Sequence, residues 1–371
     1  MKIAKRFEEL PAYTPIEPFE VLSEKLGISI DKIIKLDANE NPYGPSPKAL
    51  KSLSRLKFAH IYPDPESRFL RKALSDFTKV PEKNLLAGSG ADELIDLLLR
   101  IVLEPGDRVL NFPPTFGMYS FDTLLNAGEL IEIPRKEDFK IRLDDVIRAV
   151  EIYQPKVLFI TSPNNPDGHV ISQEEIEKIL ELPVLVVVDE AYIEFSGDND
   201  DLGQENSLIR EVSLNDNLVV LRTFSKWAGL AGLRIGYGAF PDWLLPTLWK
   251  AKQPYNVNVA ASNAAISSLE DREWLKENVS KIKKERSRLF NKLKEIPIVT
   301  PFPSQANFIL CRVSTLDASE LKSRLAENGI LVRHYNTPLL KNYIRISVGK
   351  EANTDSLMNV LDQIVNERNL Q

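Results

Sequence analysis

The chain has 371 residues, 43% hydrophobic and 27% charged, with a formal net charge of −6. That length suits two domains, or one large α/β domain with a smaller one appended, and the weak acidic balance argues against a nucleic-acid scaffold or a basic membrane surface. Cys311 is the single cysteine, which excludes an intramolecular disulfide framework and a cysteine metal cage, and His60, His169 and His334 lack metal-ligand spacing.

The first residues, up to Pro11, carry Glu8 and Glu9 and no apolar run, so no secretory leader is read there and a reducing, cytoplasmic setting is expected. Pro11, Pro15 and Pro18 mark extended segments before a helix at Phe19 to Leu26. The Asn/Pro/Gly loop from Leu36 to Pro45 precedes a helix from Ser46 to Leu56, the rigid turn Tyr62-Pro63-Asp64-Pro65, and a helical period from Ser67 to Phe77. From about residue 84 strands and helices alternate. Asn84 to Ala87 leads through Gly88-Ser89-Gly90 into an apolar helix, and short strands follow at Asp107 to Asn111, Leu130 to Ile133, Val157 to Ile160, Val184 to Val188 and Leu218 to Leu221. Near-continuous aliphatic strands separated by helical patterns predict a mostly parallel sheet covered by helices on both faces. Gly197 to Asp201, including Asp200, is an acidic surface loop. After a helix near Ala260 to Leu269 come a charged amphipathic helix (Trp274 to Leu293), hairpin-like strands, a helix from Ala318 to Asn328, a strand from Tyr343 to Val348 and a last helix. The expected division is an N-terminal arm with part of a small domain (1–60), a large α/β domain (61–265) and a small α+β C-terminal domain (266–371).

Candidate chemistry collects at the strand ends, where open α/β sheets place ligands. Thr223-Phe224-Ser225-Lys226 follows one strand, with Gly229, Gly232 and Arg234 just beyond. A lysine among apolar neighbours loses solvation of its ammonium form, so its pKa falls and the neutral amine can attack a carbonyl. The hydroxyls and the guanidinium suit a phosphate. An aldehyde carrying a phosphate satisfies all of them, and pyridoxal phosphate is such a molecule; a surface lysine on a Gly-rich turn is the local alternative. The start of the helix after Gly88-Ser89-Gly90 offers the N–H groups of Gly90, Ala91 and Asp92 to the same phosphate. A dinucleotide fingerprint is a weak rival, because Glu93 replaces its third glycine. Asp189 ends a buried strand and needs a cation or dense hydrogen bonding to stay ionised, which a protonated pyridine nitrogen would supply. The competing Walker B reading lacks a GxxxxGK[ST] loop. Tyr192 and Asn165 can reach the cofactor's phenolate oxygen, and Phe116 is placed to stack on its ring unless it is simply core.

In this order, Leu36 to Tyr43, Tyr62 to Pro65, Gly90 to Glu93, Pro113 to Phe116, Ser162 to Pro166, Asp189 to Tyr192, Thr223 to Lys226 and Tyr343 to Gly349 carry a resemblance. Over nearly its full length the chain resembles the fold-type I pyridoxal-phosphate aminotransferases, and within them the histidinol-phosphate group. The resemblance implies that Lys226 bears the cofactor, that Asp189 and Tyr192 assist it, and that Tyr62 reaches the cofactor phosphate of a partner subunit in a homodimer. It also implies that Arg345 takes the substrate carboxylate. A phosphomonoester asks for more donors than a carboxylate does, and Arg333 and Tyr43 are the candidates, with Asn39 a further substrate-binding residue. Asp167 stands where many relatives have Thr. The implied reaction is amino transfer between L-histidinol phosphate and 2-oxoglutarate. The alternatives are an aromatic-amino-acid aminotransferase, a threonine-phosphate decarboxylase, or a cofactor-binding regulator without turnover.

Overall fold

The computed structural model describes residues 3, 5–8, 17–199 and 201–369. The segments expected around Pro11 and Pro15, and Asp200 of the acidic loop, lie outside the described residues. In chain order the strands are β1 (Ile34–Leu36), β2 (Leu85–Gly88), β3 (Arg108–Asn111), β4 (Glu129–Glu132), β5 (Val157–Thr161) and β6 (Leu185–Asp189). They continue with β7 (Leu218–Thr223), β8 (Gly236–Ala239), β9 (Val299–Pro301), β10 (Phe308–Val313), β11 (Ile330–His334) and β12 (Tyr343–Ser347).

One sheet has the order β2-β8-β7-β6-β5-β3-β4. Strands β3 to β7 are parallel, and β8 alone runs against its neighbours. The aliphatic runs read from the sequence are therefore strands buried on both sides, and successive residues feed opposite layers. Leu158, Ile160, Val186, Val188, Leu218 and Val220 enter one core cluster, while Val157, Phe159, Leu185, Val187, Val219 and Leu221 enter the other. The helix Ala91–Val102 covers the second layer with Leu94, Ile95, Leu97, Leu98 and Leu99. Its first turn carries Asp92 and Glu93 and its last turn Arg100, charges that complement the helix dipole. Gly236 and Gly238 hide β8 from any β-propensity reading. The glycine is required by packing: a Cβ at Gly236 would fall 2.5 Å from the Ala91 amide nitrogen, at the start of that helix.

The second sheet has the order β1-β11-β12-β10-β9. Here β1 pairs with β11 in parallel, so a strand from the N-terminal part of the chain completes a sheet otherwise built from the C-terminal part. The long helix Arg272–Leu293 buries Leu275, Val279, Ile282, Leu289 and Leu293.

Register sets the site. Thr161 at the end of β5 pairs with Asp189 at the end of β6, and Asp189 with Leu221 of β7. Thr223 and Gly88 are both paired with Gly236, so the ends of β2 and β7 flank one glycine. Every strand-end group singled out from the sequence thus reaches the same edge of the sheet.

Candidate active site

That edge opens into a cavity of about 920 Å³ lined by residues of both sheets. Its walls include Asn39, Ala91, Asp92, Phe116, Asn165, Asp189, Tyr192, Thr223, Ser225, Lys226, Arg234, Arg333 and Arg345.

Lys226 stands on a loop that the core pins on each side. Trp227 is fully buried, stacks between Phe77 and Phe224, and donates from Nε1 to the Thr223 carbonyl at 2.9 Å. Truncating such a side chain costs about 3–5 kcal/mol, so the loop is held by the fold and not by the lysine. The Lys226 Nζ donates to the Ala38 carbonyl at 3.1 Å and lies 5.9 Å from the centre of the Tyr192 ring. Part of this side chain faces the cavity, but protein surrounds the rest. That burial, reinforced by the Arg345 guanidinium, pushes its pKa down to about 8.

Asp189 is buried and receives two hydrogen bonds, from the Tyr119 hydroxyl at 2.6 Å and the Ala191 amide at 3.0 Å. Burial nevertheless pushes its carboxyl up to about 6, with the nearby Asp92 charge adding to the rise. Two neutral donors do not replace water around a buried charge, and a cation in the cavity would. Tyr192, also buried, takes a hydrogen bond from Asn39 Nδ2 at 3.1 Å, and burial pushes its phenol up to about 12.

At one side, Thr223 Oγ1 donates to Ser225 Oγ at 2.9 Å. Gly90 precedes the helix Ala91–Val102 with φ +81°, and a Cβ there would meet Arg234 Nη2 at 2.6 Å. Arg234 reaches across this turn to Asp92 at 2.8 Å. The helix-start N–H groups of Ala91 and Asp92, two hydroxyls and a guanidinium make a cradle for a phosphate, whereas the Gly90 N–H expected to join them donates to the Gly88 carbonyl at 2.9 Å. At the other end, Arg345 donates to Asn165 Oδ1 at 2.6 Å and to the Asp37 carbonyl at 2.7 Å, while its buried Nε has no hydrogen-bond partner among the described residues. Arg333 is its direct cross-strand neighbour, and the Tyr335 ring lies 5.5 Å from the Arg333 guanidinium and 5.8 Å from that of Arg345.

Two tyrosines lie elsewhere. The turn closed by Gly44 N–H to the Asn41 carbonyl at 3.2 Å carries Tyr43 away from the cavity, and its ring lies 5.5 Å from Lys281 Nζ and 5.7 Å from Lys350 Nζ. The hydroxyl expected beside Arg333 is therefore not supplied by Tyr43 within one chain. Tyr62 is 79% exposed and stacks on Tyr255, outside the cavity of its own chain. Asp167, set in the turn after β5, is buried, takes hydrogen bonds from Asn164 and the His169 amide, and is pushed up to about 6 by burial. No local pattern points to Tyr119, to the Ala38 carbonyl or to Tyr335; only the fold brings them to the site.

The donor set fits pyridoxal phosphate: a lysine with a lowered pKa for its aldehyde, a buried carboxylate short of a cation for its ring nitrogen, and an anion cradle for its phosphate. The sequence profile of the aminotransferase class I and II family matches residues 31–361. Histidinol-phosphate aminotransferase 1, chloroplastic, from Arabidopsis thaliana is 51% identical over 97% of this chain and 85% of its own. The histidinol-phosphate aminotransferase of Roseiflexus castenholzii is 47% identical over 96% of both chains. The crystal structure of histidinol-phosphate aminotransferase from Sinorhizobium meliloti in complex with pyridoxal-5'-phosphate superposes with a TM-score of 0.88 at 27% identity, covering 99% of this chain and 98% of that one. With its strand-end lysine, its fold and these likenesses in agreement, the chain belongs to the class I and II aminotransferases and, among them, to the histidinol-phosphate aminotransferase family.

Proposed function

We propose that this enzyme moves the amino group of L-histidinol phosphate to 2-oxoglutarate, giving imidazole-acetol phosphate and L-glutamate in histidine biosynthesis, with pyridoxal 5'-phosphate held at Lys226. One observation carries the reading: a single cavity holds a lysine of lowered pKa, a buried carboxylate and, at the far end, two cross-strand arginines. When bound, the cofactor supplies an electrophilic aldehyde and a ring that withdraws electrons from the reacting carbon. Lys226 holds it and, once freed by incoming substrate, carries a proton to and from the substrate Cα as general base. Asp189 keeps the proton on the ring nitrogen. Tyr192 and Asn165 hydrogen-bond the phenolate oxygen, and Phe116 covers a ring face. Ala91, Asp92, Thr223, Ser225 and Arg234 hold the phosphate through N–H groups, hydroxyls and a guanidinium, and Gly90, lacking a Cβ, leaves Arg234 its place beside them. Arg345 takes the glutamate carboxylate and, in the other half-reaction, shares the substrate phosphate with Arg333, while Asn39 orients Tyr192 beside the substrate. Incubation with L-histidinol phosphate and 2-oxoglutarate is expected to yield glutamate and the keto phosphate. Carbon dioxide release from threonine phosphate, or faster turnover of tyrosine or phenylalanine, would transfer the assignment to another activity of this fold.

A homodimer in which Tyr62 completes the partner's phosphate site is part of the proposal. Its support is the exposure of Tyr62 beside Phe58, Ile61 and Phe69, an apolar group on the surface of one chain. The division into 1–60, 61–265 and 266–371 is likewise proposed, supported by the separate sheets. The proposed compartment is the cytoplasm, on the strength of the one buried free thiol, Cys311. The chloroplastic relatives make the plastid the compartment to test against it, by locating a tagged chain. No described helix is long and apolar enough to cross a membrane.

A further inference from the structure

Behind Asp189 runs a line of hydroxyls that the proposed chemistry leaves unused. Tyr119 donates to Asp189 Oδ2 at 2.6 Å, and its oxygen lies 2.8 Å from Thr161 Oγ1. Thr161 Oγ1 lies 3.1 Å from Thr115 Oγ1, which donates to Asn164 Oδ1 at 2.8 Å. Four contacts are present, but three hydroxyls carry only three hydrogens. Tyr119 gives its hydrogen to Asp189, and Thr115 gives its own to Asn164. Thr161 has one to give, and its contact with Tyr119 is shorter than its contact with Thr115. The chain therefore runs from Thr161 to Tyr119 to Asp189, and the Thr161–Thr115 contact is left without a hydrogen. A hydroxyl that accepts a hydrogen bond becomes a stronger donor, so Thr161 reinforces the bond that Tyr119 makes to the carboxylate.

The Tyr119 ring has no room to turn away. It is fully buried, stacked on Phe159 with centroids 4.5 Å apart and set edge-on to Phe116 at 5.6 Å. Charged groups acting on Asp189 include Lys226, Asp92 and its buried chain neighbour Glu190. A hydrogen bond to an ionised acceptor favours the ionised form without contributing a positive charge, so the place for a cation stays open to the cofactor.

We infer that Tyr119, with Thr161 behind it, is a positioning residue that keeps Asp189 ionised and aimed at the ring nitrogen of the bound cofactor. The inference rests on the reading that Asp189 faces that nitrogen. Without the Tyr119 hydroxyl the carboxylate becomes the stronger base, and the shared proton moves from the ring nitrogen onto Asp189.

The test uses holoenzyme reconstituted with pyridoxal phosphate labelled with ¹⁵N in the ring and reads the nitrogen chemical shift. Wild type is expected near a protonated pyridine, and Asp189→Ala near an unprotonated one. Tyr119→Phe keeps the stacked ring and is expected to move the shift part of that way, with the cofactor dissociation constant raised about tenfold. Thr161→Val is expected to move it less in the same direction, and Thr161→Ser to restore the wild-type value. Should Tyr119→Phe not fold, the Thr161 pair decides alone. A shift that moves in Asp189→Ala but stays fixed in Tyr119→Phe and Thr161→Val overturns the inference and leaves the Asp189 reading standing. A shift fixed in Asp189→Ala overturns both.

Discussion

Arg333 and Arg345 stand directly opposite each other on adjacent antiparallel strands, with the Tyr335 ring within 6 Å of both guanidinium groups. Like charges in this cross-strand relationship repel, and an anion between them relieves the repulsion. Arg345 already spends two hydrogen bonds on Asn165 and Asp37, so Arg333 is the freer of the two to serve a second anionic oxygen pair. Arg333→Ala is expected to raise the KM for L-histidinol phosphate by about tenfold to a hundredfold, the range of a lost charge-assisted hydrogen bond, with a smaller effect on glutamate. Steady-state kinetics with each donor measure this, and equal losses for both would count against a phosphate role.

The lowered pKa of Lys226 also bears on stability. Below about pH 8 the cofactor-free folded chain must keep an ammonium where water is scarce, whereas the unfolded chain solvates it freely up to about pH 10.5. Between these values the unfolded state binds more protons, so stability rises with pH across that window. Lys226→Met is therefore expected to stabilise the cofactor-free protein at pH 7 by on the order of 2 kcal/mol, after allowing for solvent in the cavity. The gain should fade above pH 10. Denaturant melts at both pH values check it; a gain that does not change with pH would assign the effect to packing.

Gly90 combines φ +81° and ψ 170°, a conformation open to glycine and strained by about 1–3 kcal/mol for other residues. A Cβ there also pushes against the Arg234 guanidinium. Gly90→Ala is expected to weaken pyridoxal-phosphate binding about tenfold or more while leaving Lys226 chemically competent. Equilibrium dialysis of the cofactor-free protein measures this, and unchanged affinity would remove Gly90 and Arg234 from the phosphate cradle.

The proposed sharing of Tyr62 between subunits can be tested by complementation. Lys226→Ala and Tyr62→Ala chains are each expected to bind the cofactor poorly. A mixed dimer of the two contains one site with a native lysine from one chain and a native Tyr62 from the other. Unfolding and refolding the two together should restore tight sites and turnover that neither has alone. Failure to restore them, with mixed dimers verified by differential tags, would place Tyr62 outside the partner's site.

Much of this was legible before any coordinates, for a physical reason. Parallel strands buried on both faces must be aliphatic throughout, so Val184 to Val188 and Leu218 to Leu221 announce themselves, and Asp189 at the end of one and Lys226 in the loop just past the other lie at the sheet edge. Local patterns carried less where a residue's role depends on distant chain. Strand β8 is half glycine because Gly236 abuts a helix start and Gly238 lies against Phe240 and Leu221, which leaves no β-branched signal. Tyr119 lies three residues past Phe116 on an ordinary helical turn, and its hydroxyl meets Asp189 from 70 positions away in sequence. Tyr43 is the opposite case, lying outside the cavity of its own chain. A hydroxyl on a loop near other site residues looks available, but the turn at Asn41 to Gly44 sends it between two lysines instead.

The most direct check on the central assignment is chemical. Reduction of the holoenzyme with borohydride fixes the cofactor to whichever amine holds it, and peptide mass mapping then locates the added mass. Modification of Lys226 in the tryptic peptide spanning Thr223 to Arg234 is the expected result; modification of any other lysine, or a holoenzyme from which the cofactor dialyses away unmodified after reduction, would contradict it.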